Sequence, residues 1–263
     1  MTPSTPTKPL ALITGASSGI GYELARLFAA DGYDLIITSD TTKIETAADQ
    51  LKADATEVTP VIADLRTEDG VIELFSTVKG IGRPLTAAAL NAGIGHSQSF
   101  TDAQLDDLLS VVDLNVRSTV HLAKLILDDF VERDEGELLI TSSIAATMPG
   151  PYQAVYNASK SFVQSFAEAV QSELSDTNVT VTALMPGPTE TNFFHRAGLD
   201  NTLMGRSNKD DPAAVAEAGY RALKEGRRKI VADSLLSKTM AAVDSVLPDV
   251  AKAAAHRVLA RPR

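Results

Sequence analysis

The sequence predicts an α/β fold, a single-domain, doubly wound parallel sheet of about seven strands with helices on both faces. Short runs rich in Ile, Val and Leu alternate along the chain with segments of helical periodicity. The runs are apolar at consecutive positions, which is typical of parallel strands that are covered on both sides. The length of 263 residues accommodates one such domain, and the sequence contains no internal repeat or linker.

Seven segments are predicted as strands. They span residues 10–14, 34–38, 58–63, 87–93, 136–143, 179–187 and 228–232. Residues 18–32, between the first two strands, have helical periodicity and end at Gly32, a residue type that favours helix termination. Similar segments separate the later strands, so that about six helices are expected to cover the sheet.

The composition excludes several kinds of function. The formal net charge of −10 argues against nucleic acid as a partner, because phosphate contacts require clustered Lys and Arg. The chain contains no cysteine and therefore can form neither a disulfide nor a thiolate metal site. The four histidines lack the spacing of metal ligands, and we interpret them as surface or packing residues. No metal site is expected.

The N-terminus is rich in proline and polar residues, and we expect residues 1–9 to form a disordered leader. The apolar run that follows is too short for a secretory signal or a membrane span. The expectation is therefore a cytoplasmic protein.

The first predicted strand ends in TGASSGIG, residues 14–21, and leads directly into a helix. Glycines at 15, 19 and 21 allow the backbone to turn tightly and to approach a pyrophosphate. The N-terminus of the following helix offers unpaired N–H groups and a positive dipole end. Ser17 and Ser18 can add hydroxyl donors and cap the helix. The alternative is a strand–helix turn that requires glycine for packing alone.

Small or polar residues also follow the next three strands. They are Asp40 after the second strand, Asp64 and Leu65 after the third, and Asn91, Ala92 and Gly93 after the fourth. The carboxyl ends of parallel strands meet at one edge of the sheet, where doubly wound proteins bind their ligands. The pattern therefore favours a Rossmann-type dinucleotide site over a turn that serves packing alone.

Two serines and two tyrosines are candidates for a site with one lysine between Ser142 and Lys160. Ser142 and Ser143 lie at the carboxyl end of the fifth predicted strand. Tyr156 and Lys160 share a helix face because they are four residues apart. Tyr152 is eight residues from Lys160, about 12 Å along a helix axis, which is too distant for a strong influence of the ammonium.

A tyrosine beside a lysine and a serine can exchange a proton with a substrate oxygen. The lysine cation favours the phenolate and lowers the tyrosine pKa from its usual value of about 10. The serine hydroxyl can hydrogen-bond the same substrate oxygen. A carbonyl oxygen would thus be protonated as a hydride reaches its carbon, or an alcohol deprotonated in the reverse direction. An isolated Tyr–Lys pair is better interpreted as a solvated helix face, but the dinucleotide turn favours a catalytic site.

The motifs TGASSGIG, NAG, YNASK and PGPTET occur in this order over residues 10–195 and resemble those of the short-chain dehydrogenase/reductase family, in its short single-domain form. The resemblance selects Ser143 over Ser142, because the family's serine lies thirteen residues before the tyrosine. It likewise selects Tyr156 over Tyr152 through the Y-x-x-x-K motif.

The resemblance implies a catalytic set and a set of NAD(P)(H) contacts. The catalytic residues would be Ser143, Tyr156, Lys160 and Asn115, whose side chain would help to hold a water for proton relay. The cofactor contacts would be Gly15, Ser17, Ser18, Gly19, Ile20, Gly21, Asp40, Asp64, Leu65, Asn91, Ala92, Gly93, Tyr156, Lys160, Pro186, Gly187, Thr189 and Thr191. Lys160 would bind the nicotinamide ribose, Asp64 and Leu65 would line the adenine, and Thr191 would lie near the carboxamide or pyrophosphate.

Residues 38–43, TSDTTK, bear on the choice between NAD(H) and NADP(H). Asp40 would repel a 2′-phosphate, whereas many NADP-dependent relatives carry Arg at this position or a basic residue at that of Ser18. The acidic residue of NAD-dependent relatives often sits one place earlier, at Ser39 here, and Lys43 is near enough to contribute a positive charge. We expect NAD(H) to be favoured over NADP(H).

The resemblance implies an alcohol/carbonyl pair as substrate and product, with the carbon skeleton left open. Residues 192–210 correspond to the family's variable substrate loop. Apolar residues in this loop predict a pocket wall, and His195 and Arg196 are placed to meet a polar group. The alternative is that the loop only packs against the main domain of the chain.

The end of the chain is basic, with ten Lys and Arg against four Asp and Glu in residues 221–263. We predict a main domain over 10–234 and an amphipathic C-terminal extension over 235–263. Its apolar stripe, interrupted at Pro248, consists of Leu236, Met240, Val243, Leu247, Val250, Ala254 and Val258. The extension could pack on its own subunit, embrace an acidic neighbouring subunit or, less favoured, contact an anionic membrane.

The predicted function is hydride transfer between a nicotinamide and a carbonyl or secondary alcohol. The resemblance also implies a homodimer or homotetramer formed through helices near 103–133 and 152–175. Two alternatives stay open. One is a dinucleotide-binding regulator or scaffold without turnover, against which the complete Ser–Tyr–Lys set argues, and the other is an epimerase or dehydratase on the same fold.

Overall fold

The computed structural model describes residues 8–52, 56–231 and 248–261. Most of the predicted leader, residues 1–7, and the first half of the predicted extension, residues 235–247, lie outside the described residues.

Seven parallel strands form one sheet, which confirms the predicted doubly wound α/β fold. They are β1 (Leu10–Thr14), β2 (Asp34–Ser39), β3 (Val58–Ile62), β4 (Ala87–Leu90), β5 (Gly136–Thr141), β6 (Val179–Met185) and β7 (Lys229–Val231). The strand order is β3-β2-β1-β4-β5-β6-β7, so β1 pairs with both β2 and β4 at the centre. Ile13 of β1 lies opposite Ile37 on one side and Ala89 on the other. The strand order reverses between β1 and β4, where such sheets bind ligands.

Ten helices accompany the sheet in the described ranges. They are α1 (Gly19–Ala30), α2 (Lys43–Leu51), α3 (Glu68–Gly80), α4 (Leu105–Val112), α5 (Ser118–Arg133), α6 (Ala154–Glu173), α7 (Phe193–Arg196), α8 (Leu203–Arg206), α9 (Pro212–Lys224) and α10 (Asp249–Ala260). A π-helical turn, Asp113–Arg117, joins α4 to α5, and a 3₁₀ turn, Ile144–Thr147, follows β5. Within the described parts of the chain, no helix has both the length and the apolar character needed to cross a membrane.

Two hydrophobic layers bury the two faces of the sheet. Successive strand residues point to opposite faces, so Leu12 and Ile13 of β1 enter different layers. The layer around Leu12 includes Phe130 of α5, and the layer around Ile13 includes Phe28 of α1. Burial on both faces explains why the strand sequences are apolar without alternation.

A buried ion pair lies at the amino-terminal edge of the sheet, where β2 begins. Asp34 opens β2, and its side chain is 7% exposed. Its carboxylate accepts hydrogen bonds from Arg83 Nη2 at 2.5 Å and from the Glu57 N–H at 2.9 Å. Burial by itself would raise the pKa of Asp34, but these hydrogen bonds and the Arg83 charge hold it below the ordinary value.

Arg83→Met is expected to lower the free energy of unfolding by about 2 kcal/mol at pH 7, because it leaves the buried Asp34 carboxylate with only the more distant Lys8 ammonium, at 4.0 Å, as a cation. The folded-state pKa of Asp34 lies below the model-peptide value of 3.8, so this contribution is present above pH 3.8 and is lost as the pH falls through the folded-state pKa. Urea denaturation over a range of pH measures both effects.

Lys79→Met is the control, because Lys79 is 58% exposed in its 2.8 Å pair with Asp129. Exposed pairs of this kind contribute less than about 1 kcal/mol. Equal losses in the two variants, or an Arg83→Met loss that does not shrink in acid, would contradict the role given to Asp34.

Candidate active site

A cavity of about 420 Å³ lies at the carboxyl edge of the sheet. Nearly all of the predicted site residues line it. These are Gly15, Ser17, Ser18, Gly19, Ile20, Asp40, Asp64, Leu65, Asn91, Ala92, Gly93, Ser143, Tyr156, Lys160, Pro186, Gly187, Thr189 and Thr191. Gly21 and Asn115 lie behind this surface, so their influence on a ligand is indirect.

The glycine turn after β1 depends on two glycines with left-handed backbone conformations. Gly15 has φ +66°, and a Cβ on it would lie 2.9 Å from Ala92 Cα. Gly19 has φ +61°, and a Cβ on it would lie 2.8 Å from Thr191 Cγ2. Other residues would therefore strain the turn and push away the loops that follow β4 and β6.

Ser18 occupies the N-cap of α1, but its side chain makes no capping hydrogen bond. The prediction that Ser18 caps the helix is therefore wrong. Its extended backbone already leads into the helix, and Ser18 lines the cavity. The cap position, with the N–H groups of the first turn, is suited to a phosphate.

The ends of three neighbouring strands are linked by hydrogen bonds. The hydroxyl of Thr14, which the sequence analysis did not single out, accepts the N–H groups of Asn91 and Ala92 at 2.9 and 3.0 Å. The Thr141 hydroxyl donates to Asn91 Oδ1 at 3.1 Å. This network fixes the loop after β4 against β1 and β5.

Tyr156 and Ser143 both line the cavity, and the Ser143 hydroxyl lies near enough to the phenol to lower its pKa. The buried Ser143 side chain also accepts the N–H of Ala145 at 3.1 Å, which fixes its position after β5. Burial raises the pKa of Tyr156 to about 12, against the lowering effect of the nearby Ser143 hydroxyl. The prediction that the neighbouring lysine gives this tyrosine a lowered pKa is wrong in direction here, because burial outweighs the other influences.

Lys160 is buried, with 5% of its surface exposed, and its Nζ donates to the carbonyl oxygen of Thr141 at 2.9 Å. Burial lowers the pKa of this ammonium to about 8. Ser142 donates its hydroxyl to the backbone carbonyl of Lys160 at 3.1 Å. Ser142 therefore holds α6 to β5, while Ser143 meets the tyrosine.

Tyr152 precedes α6 instead of forming part of it. Its φ is +67°, and its carbonyl oxygen accepts the N–H of Gln98 at 2.8 Å. The earlier estimate of its axial distance from Lys160 assumed a helix that in fact starts at Ala154. Tyr152 does not line the cavity, whereas Tyr156 does.

Asn115 lies in the π-helical turn and is buried. Its side chain exchanges two hydrogen bonds with the backbone of Ile94, both 2.9 Å, and donates to Ser159 Oγ at 3.0 Å. Ser159 in turn donates to the carbonyl oxygen of Tyr156 at 2.7 Å. Both amide N–H groups are thus used, and Oδ1 keeps capacity for one further donor such as a water.

Arg66 is a cavity residue that sequence reasoning missed. Its guanidinium donates to both carboxylate oxygens of Asp64, each at 2.8 Å. This hydrogen bonding lowers the pKa of Asp64 and raises that of Arg66, to which the charge of Asp40 also contributes. The position of Arg66 directly after the Asp64-Leu65 strand end was the signal available in the sequence.

The opposite end of the cavity is lined by segments that are not attached to strand ends. The predicted substrate loop contributes Phe193, whose ring centroid lies 5.3 Å from that of Tyr156. The rest of this wall consists of Met148, Gln153, Phe194, Arg196, Leu199, Met204, Lys252, Ala255, His256 and Leu259. Sequence reasoning missed the last four, which belong to α10.

The residues at the nucleotide end fit a dinucleotide. Gly15 and Gly19 line the cavity with backbone atoms alone. The start of α1 faces the same space with its N–H groups and the Ser18 hydroxyl. Asp40 and Asp64 are placed where hydroxyl or amino groups of a nucleoside can donate to them.

Comparison with known proteins identifies related chains. A family model for short chain dehydrogenases matches residues 9–202. Oxidoreductase UcpA of Salmonella typhimurium is 29% identical over 210 residues, which cover 80% of this chain and 78% of that protein.

Solved structures of short-chain dehydrogenases and reductases have the same fold as this chain. A short-chain dehydrogenase from Sphingobium yanoikuyae in complex with NADPH superposes with a TM-score of 0.81 at 25% identity, covering 90% of this chain and 92% of the other. The 3-ketoacyl-(acyl-carrier-protein) reductase from Brucella melitensis complexed with NADH gives 0.74 at 27% identity, covering 86% and 97%. The protein is therefore an oxidoreductase that belongs to the short-chain dehydrogenase/reductase family.

Proposed function

We propose that the enzyme transfers a hydride between NAD(P)(H) and a carbonyl or secondary alcohol, with Tyr156 as the acid and base. The observation that carries the proposal is the placement of Ser143 and Tyr156 together at the surface of a cavity whose other end fits a dinucleotide. Lys160 is buried one helical turn beyond the tyrosine on the same face.

NAD(P)(H), when bound, supplies or accepts the hydride. The glycine turn, Ser17, Ser18 and the start of α1 would hold its pyrophosphate, with Thr191 and Thr189 opposite. Asp64, Leu65 and the loop Asn91–Gly93 would hold the adenosine part. Lys160 would bind the nicotinamide ribose, and Ile20, Pro186 and Gly187 would complete the contacts.

In the direction of carbonyl reduction, Tyr156 donates its proton to the substrate oxygen, and Ser143 orients the same oxygen by a hydrogen bond. A hydroxyl with a pKa of about 12 is protonated at neutral pH and is therefore suited to act as the donor. The reverse reaction needs the phenolate, which a charged Lys160 stabilises. With a pKa of about 8, Lys160 keeps most of its charge at pH 7.

Asn115 acts in this scheme mainly as a positioning residue. Its amide fixes Ile94 in the loop after β4 and, through Ser159, the backbone of Tyr156. The remaining acceptor capacity of Oδ1 is available for the water that would return a proton to the site.

Tyr156→Phe is expected to lower kcat for reduction of a reactive ketone by about 100-fold to 10,000-fold, because the substrate oxygen loses its proton donor. Stopped-flow or steady-state loss of NADH or NADPH absorbance measures the rate, and calorimetric titration checks that the cofactor still binds.

Tyr152→Phe is the matched control, since it removes the same hydroxyl from a residue outside the cavity, and its rate should stay close to that of the wild type. A Tyr156→Phe enzyme with near-normal rates would exclude Tyr156 as the acid. Wild-type protein that binds a dinucleotide but turns over no carbonyl or alcohol would favour the regulator or scaffold.

We also propose that NAD(H) is favoured over NADP(H). The solved relatives support both cofactors, since one is described with NADPH and another with NADH. At the adenosine end of this cavity, Asp40 and Asp64 contribute two carboxylates, and Arg66 is already paired with Asp64. A 2′-phosphate would therefore meet a net negative surrounding.

The wild-type dissociation constant for NADPH is expected to exceed that for NADH by about tenfold or more, and Asp40→Asn should narrow this ratio by strengthening NADPH binding. Calorimetric titration measures both constants. Asp49→Asn, which removes the same charge from a side chain 76% exposed on α2, should leave the ratio unchanged. Tighter binding of NADPH than of NADH by the wild type would contradict the proposal and point to Arg66 as a phosphate ligand.

Short-chain dehydrogenases are commonly oligomeric, and we propose a homodimer or homotetramer formed through α4, α5 and α6. Large apolar side chains are exposed on this side of the molecule. They are Leu105, Leu109, Val112, Val120, Val131 and Phe162. Burial of such a surface against a second copy would remove it from water. A cytoplasmic location stays a prediction from the sequence.

Leu109→Lys is expected to shift the sedimentation coefficient towards that of a monomer, because a lysine cation at the centre of an interface is costly. Ile72→Lys on α3 is the matched control, since Ile72 is 48% exposed and Leu109 is 47% exposed. Analytical ultracentrifugation of a wild-type protein that is already monomeric would contradict the proposed assembly.

A further inference from the structure

One face of α10 forms a wall of the cavity. Lys252, Ala255, His256 and Leu259 line it, at the spacing of three and four residues that places side chains on a single helix face. The described part of the predicted apolar stripe faces outward instead, with Val250 at 83% and Val258 at 64% exposure. The end of the chain therefore contributes directly to the site.

The helix is attached to the segment that joins Ser143 to α6. Lys252 Nζ donates to the carbonyl oxygen of Thr147 at 3.2 Å, and His256 Nδ1 lies 3.2 Å from the carbonyl oxygen of Pro151. α10 also packs against α8 of the substrate loop. These contacts place Lys252 at the substrate end of the cavity, away from the residues that would hold the nucleotide.

The charges that line the cavity are distributed unequally. Among the cavity-lining residues that the structure describes, the acidic ones are Asp40 and Asp64, both at the adenosine end. The substrate end is lined by Arg196, Lys252 and His256 and by no described acidic residue, and the one described carboxylate paired with Lys252, that of Asp249, lies outside the lining. An anionic group is therefore electrostatically favoured at the substrate end.

Lys252 can bind such an anionic group because its side chain forms part of the cavity wall. Its side chain is 12% exposed, whereas its ion-pair partner Asp249, at 3.2 Å, is 77% exposed on the outer side. An ammonium has three N–H donors, and the contacts with Thr147 and Asp249 leave one for a ligand. The apolar residues of the same wall are Met148, Leu199, Met204, Leu259 and Phe193.

We propose that the substrate is an oxo acid, whose keto group is reduced at Tyr156 while an apolar chain spans the cavity and a carboxylate binds Lys252. The inference rests on the proposed function and deepens it. The keto carbon gains a hydride and its oxygen gains a proton, and the carboxylate is unchanged. Lys252 acts as a specificity-determining residue, because the apolar wall alone does not distinguish a carboxylic acid from its ester.

The experiment compares 5-oxohexanoate, 7-oxooctanoate and 9-oxodecanoate with their methyl esters as substrates of the full-length enzyme and its preferred cofactor. The chain length is varied so that one member spans the distance between Tyr156 and Lys252. For that member, kcat/KM of the carboxylate should exceed that of the ester by about tenfold, as expected for a charge-assisted hydrogen bond in a partly buried site.

Lys252→Gln should lower the carboxylate-to-ester ratio by about tenfold, because it keeps a hydrogen-bond donor of similar length and removes the charge. Lys252→Arg should preserve the preference, since it retains the cation. Arg257→Gln is the matched control. It makes the same change of charge at an exposed position of α10 that does not line the cavity, and the ratio should not move.

A binding measurement makes the result independent of turnover. Calorimetric titration of the cofactor-loaded enzyme with octanoate and with octanamide should show a preference for the anion that Lys252→Gln removes and Arg257→Gln retains. The inference would be overturned if kcat/KM of the ester equalled that of the carboxylate at every chain length. It would also be overturned if Lys252→Gln lowered kcat/KM equally for both substrates. The proposed function would still stand if neutral ketones were reduced in a Tyr156-dependent manner, and it would fail separately if they were not.

Discussion

An ammonium removed from water requires hydrogen-bond acceptors, and this requirement organises the active site. Lys160 is buried and donates to the carbonyl oxygen at the end of β5. That residue, Thr141, bonds Asn91 through its hydroxyl, and Asn91 is itself held by Thr14. The first turns of α6 and the ends of β5, β4 and β1 are therefore fixed together. Tyr156 lies on α6 one turn before the lysine and takes its position from the same constraint.

Structural features that follow from a pattern within one segment of the chain could be predicted from the sequence. Features that depend on contacts between distant segments could not. The strands and the glycine turn follow from consecutive apolar residues and from glycines at fixed spacing. The direction of the Tyr156 pKa was mispredicted, because the spacing of four residues to Lys160 reports proximity but not burial. Arg66 was missed although it directly follows a predicted strand end, and Lys252 was missed because only the folded chain brings its segment to the cavity.

The two ends of the cavity are built differently. The nucleotide end consists of short connections that leave strands directly, so their backbone is fixed by the sheet. The substrate end consists of α7, α8 and α10, and α10 is joined to the rest of the domain by side-chain contacts with the backbone carbonyls of Thr147 and Pro151. Substitutions at this second end can change the shape and charge of the cavity without disturbing the sheet.

The π-helical turn between α4 and α5 has a consequence for both faces of this long helical segment. An α-helix turns by about 100° per residue, and the wider turn at Asp113–Arg117 accommodates about one extra residue while α4 and α5 stay nearly in phase. Leu105 and Leu109 thus point outward before the turn, while Leu122 and Ile126 point into the core after it. Deletion of a single residue there would restore a regular helix with both faces still in place, but it would remove the turn that holds Asn115. The extra residue therefore serves the contacts of Asn115 with Ile94 and Ser159.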